Sequence, residues 1–309
     1  MSGGLKQSIV ELATSLKFSA CGFSSVGPVP NELNDRYKRW ITQGKNGCMQ
    51  WAANHMDLRA DPTLLLPGAK TVIALALNYY PRQFQPLEAP QFAYYAYGED
   101  YHKVLRRKMK AIAQYILSET GEKSRVCVDS APIHERYLAQ RAGIGFVGLN
   151  NSLIIPGKGS YFFIGIMLTT LEIEPDEPCT ESCVQCRACI RQCPAGALRE
   201  GEPVDARRCL SCLTIENRGP MPPWVSGVIG NRIYGCDACQ QCCPHNNHVV
   251  ATEVDEFKPS EQFLGITDES LVSMTAEEFE EIFGRSAVKR TGLQNLRRNL
   301  AAIREGKSQ

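Results

Sequence analysis

The stretch CVQCRACIRQCP, residues 183 to 194, decides how the second half of this 309-residue chain folds. Its cysteines, Cys183, Cys186, Cys189 and Cys193, stand at the spacing of the bacterial ferredoxin run CxxCxxCxxxCP. In that run the fourth cysteine binds the other cluster of a pair. The motif therefore predicts a partner run downstream and two iron-sulfur clusters that exchange one ligand.

The partner run is CDACQQCCP, residues 236 to 244, which has the spacing CxxCxxxCP. This run lacks the first of the four cysteine ligands. Cys209 or Cys212 could supply it, and spacing alone leaves that choice open. Two structural zinc sites are the alternative, although zinc sites rarely exchange ligands between such runs. The preferred crossed arrangement assigns four thiolates to each of two 4Fe-4S clusters: Cys183, Cys186, Cys189 and Cys243 to cluster 1, and Cys193, Cys209, Cys236 and Cys239 to cluster 2.

The overall charge neither suggests nor excludes a nucleic-acid partner. The chain has 34 basic and 33 acidic side chains, so contact with RNA requires a local patch. Two basic stretches are candidates, KVLRRKMK (103 to 110) and the stretch from Arg285 to Lys307. Solvated helix faces are the alternative interpretation of both.

The first residues and the apolar runs favour a cytoplasmic protein. MSGGLKQSIVELATSL contains neither an apolar signal region nor a twin arginine, and the runs 71 to 80 and 161 to 170 are too short to span a bilayer. Thiols stay reduced in the cytoplasm. Most of the 14 cysteines lie between Cys179 and Cys243, and this compartment favours metal ligation over disulfides.

Periodicity divides the chain into three segments. Residues 1 to 175 combine helical stripes with short apolar runs, which predicts an α/β domain. Residues 176 to 250 have little periodicity and are expected to form a ferredoxin-like α+β domain that folds around its metal. Residues 251 to 309 return to helical patterning, with Ser273 or Thr275 as a candidate helix cap.

VDSAPIHER, residues 128 to 136, contains the carboxyl group of greatest interest in the first segment. Asp129 follows a predicted strand, and open α/β sheets bind ligands at the carboxyl ends of their strands. Its side chain is either a turn or helix-start residue or an acid whose pKa an apolar pocket raises. Pro132 is expected in the first turn of the next helix.

Two further motifs are weaker signals. DYHKVL (100 to 105) nearly spells DxHxxG, in which a histidine binds cobalt, but Leu105 replaces the glycine. RAGIGFVG (141 to 148) contains GxGxxG, yet it follows a helical stretch, whereas a dinucleotide site requires a strand there. Backbone turns near a bound ligand are the preferred interpretation of these glycines.

Six blocks follow one another over most of residues 50 to 250 and are far more specific than ferredoxin spacing. They are YGEDYH (97 to 102), VDSAPIHER (128 to 136), RAGIGFVGLN (141 to 150), the CxxCxxCxxxCP run, DARRCLSCLTIENRGP (205 to 220) and GNRIYGCDACQQCCPHN (230 to 246). Together they resemble the epoxyqueuosine reductases, a family of cobalamin-dependent iron-sulfur enzymes of tRNA modification.

The resemblance implies a cobalamin-binding N-terminal domain, a domain with two 4Fe-4S clusters, and reduction of epoxyqueuosine to queuosine at the wobble position of tRNA. An external electron donor would reduce the clusters, which in turn reduce cobalamin. No membrane contact is expected, and the chain is expected to be a monomer.

The resemblance also carries over to individual residues. Asp129 matches the proton donor proposed for the family. Cys209 falls on the ligand position of the DARRC block, which leaves Cys212 as a bystander. We expect Tyr101, His102 and Arg136 in the substrate or cofactor pocket.

Two other functions fit part of the pattern. Reductive dehalogenases also couple cobalamin to two clusters, but they usually carry a twin-arginine leader. A simple electron-transfer module needs only the cysteine-rich segment, and the preceding 175 residues argue against it.

Overall fold

The computed structural model describes residues 2 to 308. Its α-helices, in chain order, are α1 (Ser2–Ser15), α2 (Asn31–Thr42), α3 (Met56–Ala60), α4 (Tyr101–Thr120), α5 (Glu135–Arg141), α6 (Ala188–Arg191), α7 (Leu210–Ile215), α8 (Ser226–Ile229), α9 (Ala238–Gln241), α10 (Glu261–Leu264), α11 (Asp268–Ser273), α12 (Ala276–Phe283) and α13 (Leu293–Lys307). Its strands are β1 (Ala20–Ser25), β2 (Thr71–Asn78), β3 (Gln91–Phe92), β4 (Ser124–Cys127), β5 (Phe146–Val147), β6 (Leu153–Ile154), β7 (Phe162–Thr169) and β8 (Arg232–Tyr234).

The centre of the N-terminal half is a four-stranded sheet with the order β1-β2-β7-β4. Successive side chains of a strand point to opposite faces. In β2, the odd-numbered residues from Ile73 to Leu77 face α1 and α4, and the even-numbered residues from Val72 to Ala76 face α5. The sheet therefore lies between two helical layers, and its central strands are buried on both faces.

All neighbouring strands of this sheet are antiparallel, which corrects the α/β class predicted for this half. Helices cover the sheet, as in an α/β fold, but an antiparallel sheet with helices belongs to the α+β class. Continuous apolar strands are typical of parallel sheets because such sheets are buried on both faces. Burial of β2 and β7 on both faces produces the same pattern in an antiparallel sheet, so apolar runs do not reveal strand direction.

The cysteine-rich segment packs closely against the N-terminal half. β8 pairs in parallel with β3. One apolar core joins Phe92 and Tyr97 with Tyr234, Phe283 and Leu300. Packing thus crosses both segment boundaries expected from sequence, at residues 175 and 250.

The C-terminal helices begin where their polar caps predict. Thr275 accepts a hydrogen bond from the backbone N–H of Glu278, and the Glu278 carboxylate accepts one from the N–H of Thr275. This capping box confirms Thr275, and not Ser273, as the cap of α12. Within residues 2 to 308 no helix is both long and apolar enough to cross a membrane.

Candidate active site

A histidine held between two carboxylates forms the centre of the candidate site. Asp100 caps the N-terminus of α4, accepting the backbone N–H of His102 at 3.0 Å and contacting its Nδ1 at 2.8 Å. The other ring nitrogen, Nε2, lies 3.0 Å from Oδ2 of Asp129, which follows β4. Both ring nitrogens are thus engaged, which argues against His102 as a cobalt ligand of the DxHxxG type.

The proton in this site belongs to the histidine. Burial favours the neutral ring, but hydrogen bonds and charges of Asp100 and Asp129 outweigh it and raise the pKa of His102 to about 9. Burial alone would raise the pKa of Asp129, yet the hydrogen bond and charge of His102, with help from the Tyr101 hydroxyl, hold it below its ordinary value. The expected rise in the pKa of Asp129 is therefore wrong, and at neutral pH the pair is imidazolium and carboxylate.

The ring of Tyr101 provides an apolar surface beside this pair. Its ring stacks on Phe163, with centroids 4.3 Å apart, and on the His102 ring at 4.0 Å. Burial, followed by the charge of Asp129, raises the pKa of Tyr101 well above its ordinary value. The phenol therefore keeps its proton, and its hydroxyl helps to lower the pKa of Asp129.

The loop that carries Asp129 is held in an unusual conformation. Asp129 has a φ of 54°, in the left-handed region that non-glycine residues rarely adopt. Its backbone N–H donates to Oε1 of Glu135 at 2.6 Å, and Arg106 donates to Oγ of Ser130 at 2.8 Å. His134 occupies the N-cap position of α5, so Asp129 is not the cap of this helix. Pro132 lies before the helix and not in its first turn.

The sequence interpretation missed Glu135. Burial and the charge of Asp129 raise the pKa of its carboxyl to about 8. The only available signal was its place in VDSAPIHER, six residues after Asp129. Arg136, the neighbouring pocket candidate, is exposed. Glu135 and Arg136 both lie in the first turn of α5, next to the loop that carries Asp129.

The four thiols assigned to cluster 1 meet at one pocket. Cys183, Cys186, Cys189 and Cys243 all line it, although Cys243 comes from the second run. His245 lines the same pocket, and its buried Nε2 has no hydrogen-bond partner among residues 2 to 308. A cluster sulfur would give this nitrogen a partner, so the pocket fits the group.

The thiols assigned to cluster 2 also lie near one another. Burial first, and then the charges of Cys236, Cys209 and Cys193, raise the pKa of Cys239. The backbone N–H of Ala197 donates to Sγ of Cys193 at 3.2 Å, a bond that suits a thiolate ligand. Cys193, Cys209, Cys236 and Cys239 therefore lie within electrostatic range of one another.

Neither thiol set has the geometry of a site for a single metal ion. Within the described residues, no three His, Cys, Asp or Glu side chains surround a position for a single metal ion. A four-iron cluster needs wider spacing, since each of its irons takes its own thiolate. Burial raises the pKa of Cys189 and of Cys236 to about 11, so binding of iron would release their protons.

The GxGxxG glycines have a packing role. A β-carbon on Gly145 would overlap the backbone carbonyl of Ile154, and one on Gly143, whose φ is 75°, would press on the carbonyl oxygen of Glu177. These glycines let the β5-β6 hairpin and the start of the cysteine-rich segment approach α5. This finding agrees with the rejection of a dinucleotide site.

The basic C-terminal stretch is used mostly for contacts within the chain. Arg297 donates to the carbonyl oxygens of Leu271, Val272 and Met274, and Arg298 to those of Leu213, Asn217 and Gly219. Ion pairs to carboxylates engage Arg285, Lys289, Arg290, Arg304 and Lys307. A structural role is therefore favoured over RNA binding for this stretch.

Thiol sets of this kind carry electrons, and a protonated histidine beside a carboxylate can deliver a proton. Fold and site together define the chain as an iron-sulfur oxidoreductase. Comparison with known proteins narrows this class.

Two family models match the chain: "Epoxyqueuosine reductase QueG, DUF1730" at residues 59 to 130, and "4Fe-4S double cluster binding domain" at residues 182 to 246. The epoxyqueuosine reductase of Leadbetterella byssophila is 40% identical over 296 residues, which cover 95% of this chain and 96% of the relative. The chain belongs to the epoxyqueuosine reductase family.

Solved structures agree with this assignment. A crystal structure of epoxyqueuosine reductase with an epoxyqueuosine-modified tRNA-Tyr stem loop has a TM-score of 0.89 and 31% identity, covering 98% of this chain and 81% of that chain. The Bacillus subtilis enzyme, with its catalytic loop swung out of the active site, has a TM-score of 0.90 and 30% identity over the same shares. The whole described fold is thus that of the family.

Proposed function

We propose that this chain reduces epoxyqueuosine in tRNA to queuosine. The observation that carries the proposal is the 3.0 Å contact between His102 and Asp129, an acid-base pair whose carboxylate is exposed to solvent. The chain shares 40% identity with an epoxyqueuosine reductase along 95% of its length, which supports this substrate over the halogenated compounds of a dehalogenase. The acid-base pair also has no use in a simple electron-transfer module.

Cobalamin is the cofactor we infer for this site. Asp129 and Arg136 are exposed, which leaves this side of the site open to a large ligand, and Tyr101 offers such a ligand an apolar ring. His102 is unsuited to bind the cobalt, since carboxylates engage both of its nitrogens. When bound and reduced, cobalamin would supply the two electrons that convert the epoxide to an alkene and water.

Protons for the reaction would come from this chain. His102 holds a proton at neutral pH because its pKa is about 9. That proton would move from Nε2 to Oδ2 of Asp129, and from there to the epoxide oxygen as its C–O bond breaks. Glu135, whose carboxyl has a pKa of about 8, would hold the second proton behind the same loop.

We further propose the crossed ligand sets for two 4Fe-4S clusters, with Cys209 and not Cys212 on cluster 2. Contact of Cys212 with Cys48, at 3.4 Å between the sulfurs, supports the choice of Cys209. The thiol of Cys186 and the side chain of Val184 are exposed, which supports entry of electrons from an external donor at cluster 1.

The function is tested by a complete reaction. Protein purified without oxygen and reconstituted with iron and sulfide is given cobalamin, a reductant and tRNA that carries epoxyqueuosine, and the nucleosides are then analysed. We expect queuosine to form and cobalamin to bind. Absence of queuosine together with failure to bind cobalamin contradicts the proposal.

The pH dependence should follow the proton on His102. Its pKa is raised from 6.5 to about 9, so the acid is present below that pH and is lost as the pH rises through it. We expect the single-turnover rate to fall above about pH 9. Asp100→Asn keeps a helix cap but removes the carboxylate that does most to raise this pKa, so the fall should begin at a lower pH. An unchanged pH profile in that variant would exclude His102 as the proton source.

Binding of tRNA should depend on the exposed face of α4. Lys103 and Lys110 are exposed, and they form no ion pair within the described residues, whereas Arg107 and Lys108 pair with Glu256. Replacing both lysines by Gln should weaken tRNA binding and reduce the slope of log K against log salt by about 1 for each phosphate that is no longer neutralised. Lys289→Gln, which breaks an ion pair with Glu280 in the C-terminal stretch, is the control and should leave the slope unchanged.

A further inference from the structure

Two thiols outside both cluster sets touch each other. Sγ of Cys48 lies 3.4 Å from Sγ of Cys212, although the residues are 164 positions apart in sequence. Cys48 is exposed on the loop after α2, and Cys212 is buried in α7. Neither thiol has a role in the proposed reaction. The pair therefore needs a separate explanation.

The surrounding contacts hold the two thiols in place. The indole N–H of Trp40 donates to the carbonyl oxygen of Val204 at 2.7 Å, and the N–H of Ala206 donates to that of Lys45 at 2.8 Å. The Lys45 ammonium also lies 2.8 Å from a carboxylate oxygen of Glu202. The loop after α2 is thus attached to the segment before α7 on several sides, which keeps Cys48 next to Cys212.

We propose that Cys48 and Cys212 form an oxidative modification site, at which a peroxide converts the two thiols into a disulfide. Cys48 reacts first because it is exposed, whereas Cys212 is buried. The Cys212 sulfur lies 3.4 Å from that of Cys48, which positions it to attack the oxidised sulfur in the second step.

The chemistry balances with hydrogen peroxide as the oxidant. The Cys48 sulfur attacks the peroxide, the O–O bond breaks, and a sulfenic acid and one water form. The Cys212 sulfur then attacks the Cys48 sulfur, the S–O bond breaks, and the leaving hydroxide takes the remaining thiol proton as a second water. Two thiols lose two electrons in total, and the peroxide gains them. The sulfurs must approach by about 1.4 Å to reach disulfide length.

Such a bond would stabilise the site of one cluster ligand. Cys212 lies one helical turn after Cys209, at the start of α7. A disulfide would therefore connect that turn covalently to the loop after α2. This connection should slow the loss of cluster 2 when the protein is exposed to air.

The test uses the reconstituted holoprotein, kept free of oxygen and treated with one equivalent of hydrogen peroxide. Free thiols are then alkylated, and the protein is digested without reduction and analysed by mass spectrometry. We expect the peptides that contain Cys48 and Cys212 to be recovered mainly as one linked pair, with the visible absorbance of the clusters retained. Cys21, a thiol outside this pair and both cluster sets, serves as the internal control and should remain unlinked.

Two outcomes overturn the proposal. One is that Cys48 is oxidised or alkylated while Cys212 stays free. The other is that linked peptides appear only in proportion to cluster loss, which would mean that released ligands had reacted. In air, Cys48→Ser should lose its cluster absorbance faster than the linked wild-type protein. Equal rates would refute the stabilising effect.

Discussion

Asp129→Asn is expected to reduce epoxyqueuosine roughly 100- to 10,000-fold more slowly than the wild-type protein, the range typical of a lost general acid. The amide has nearly the shape of the carboxylate and can still accept the hydrogen bond from His102. It has no carboxyl proton to pass to the epoxide oxygen. Because Asp100 still raises the pKa of His102, the imidazolium should persist next to a group that cannot relay its proton.

The effect should lie in the chemical step. Asp129 is in an exposed loop outside both thiol sets, so iron content and tRNA affinity should match those of the wild type. Single-turnover nucleoside analysis gives the rate, and a binding titration gives the affinity. Ser130→Ala is the control for disturbance of the loop, since it removes the hydrogen bond from Arg106 and the one that the hydroxyl donates to the carbonyl oxygen of Val128. A rate of Asp129→Asn equal to that of Ser130→Ala would remove Asp129 from the mechanism.

The apolar runs of the sequence predicted the elements of the N-terminal half well. The run 71 to 80 contains β2, and the run 161 to 170 contains β7. The sequence did not reveal strand direction, because a strand buried on both faces has the same apolar pattern in a parallel and in an antiparallel sheet. The pairing of β3 with β8 was also invisible, since two or three residues carry no periodicity.

The part of the candidate site that the sequence predicts is the set of cluster ligands, because cluster binding constrains the spacing of cysteines. The spacing of the cysteine runs predicts the crossed ligand sets, and the structure places the members of each set near one another. The pKa of Asp129 depends on His102, which lies 27 positions away in sequence, and no local pattern reveals that contact. The contacts of Arg298 were equally hidden, since its charge alone does not reveal that its guanidinium binds the backbone carbonyl oxygens of Asn217 and Leu213.

Loss of one cluster ligand should remove about half of the iron, from about eight to about four atoms per chain. Cys243→Ser is the informative variant, because Cys243 belongs to the second run but lines the pocket of the first. Cys242→Ser alters the adjacent thiol, which is outside both proposed ligand sets, and should keep the full iron content. Iron and sulfide analysis of both reconstituted proteins provides the measurement.

Double variants distinguish crossed from uncrossed ligands. If the runs exchange ligands, Cys183→Ser combined with Cys243→Ser affects one cluster, and the protein keeps about four irons. Cys183→Ser combined with Cys193→Ser then affects both clusters, although the two residues share one run, and the protein should lose nearly all its iron. The opposite pattern would mean that each run holds its own cluster. Since both double variants remove two thiols and share Cys183→Ser, a difference in iron content between them reflects which cluster each second thiol serves.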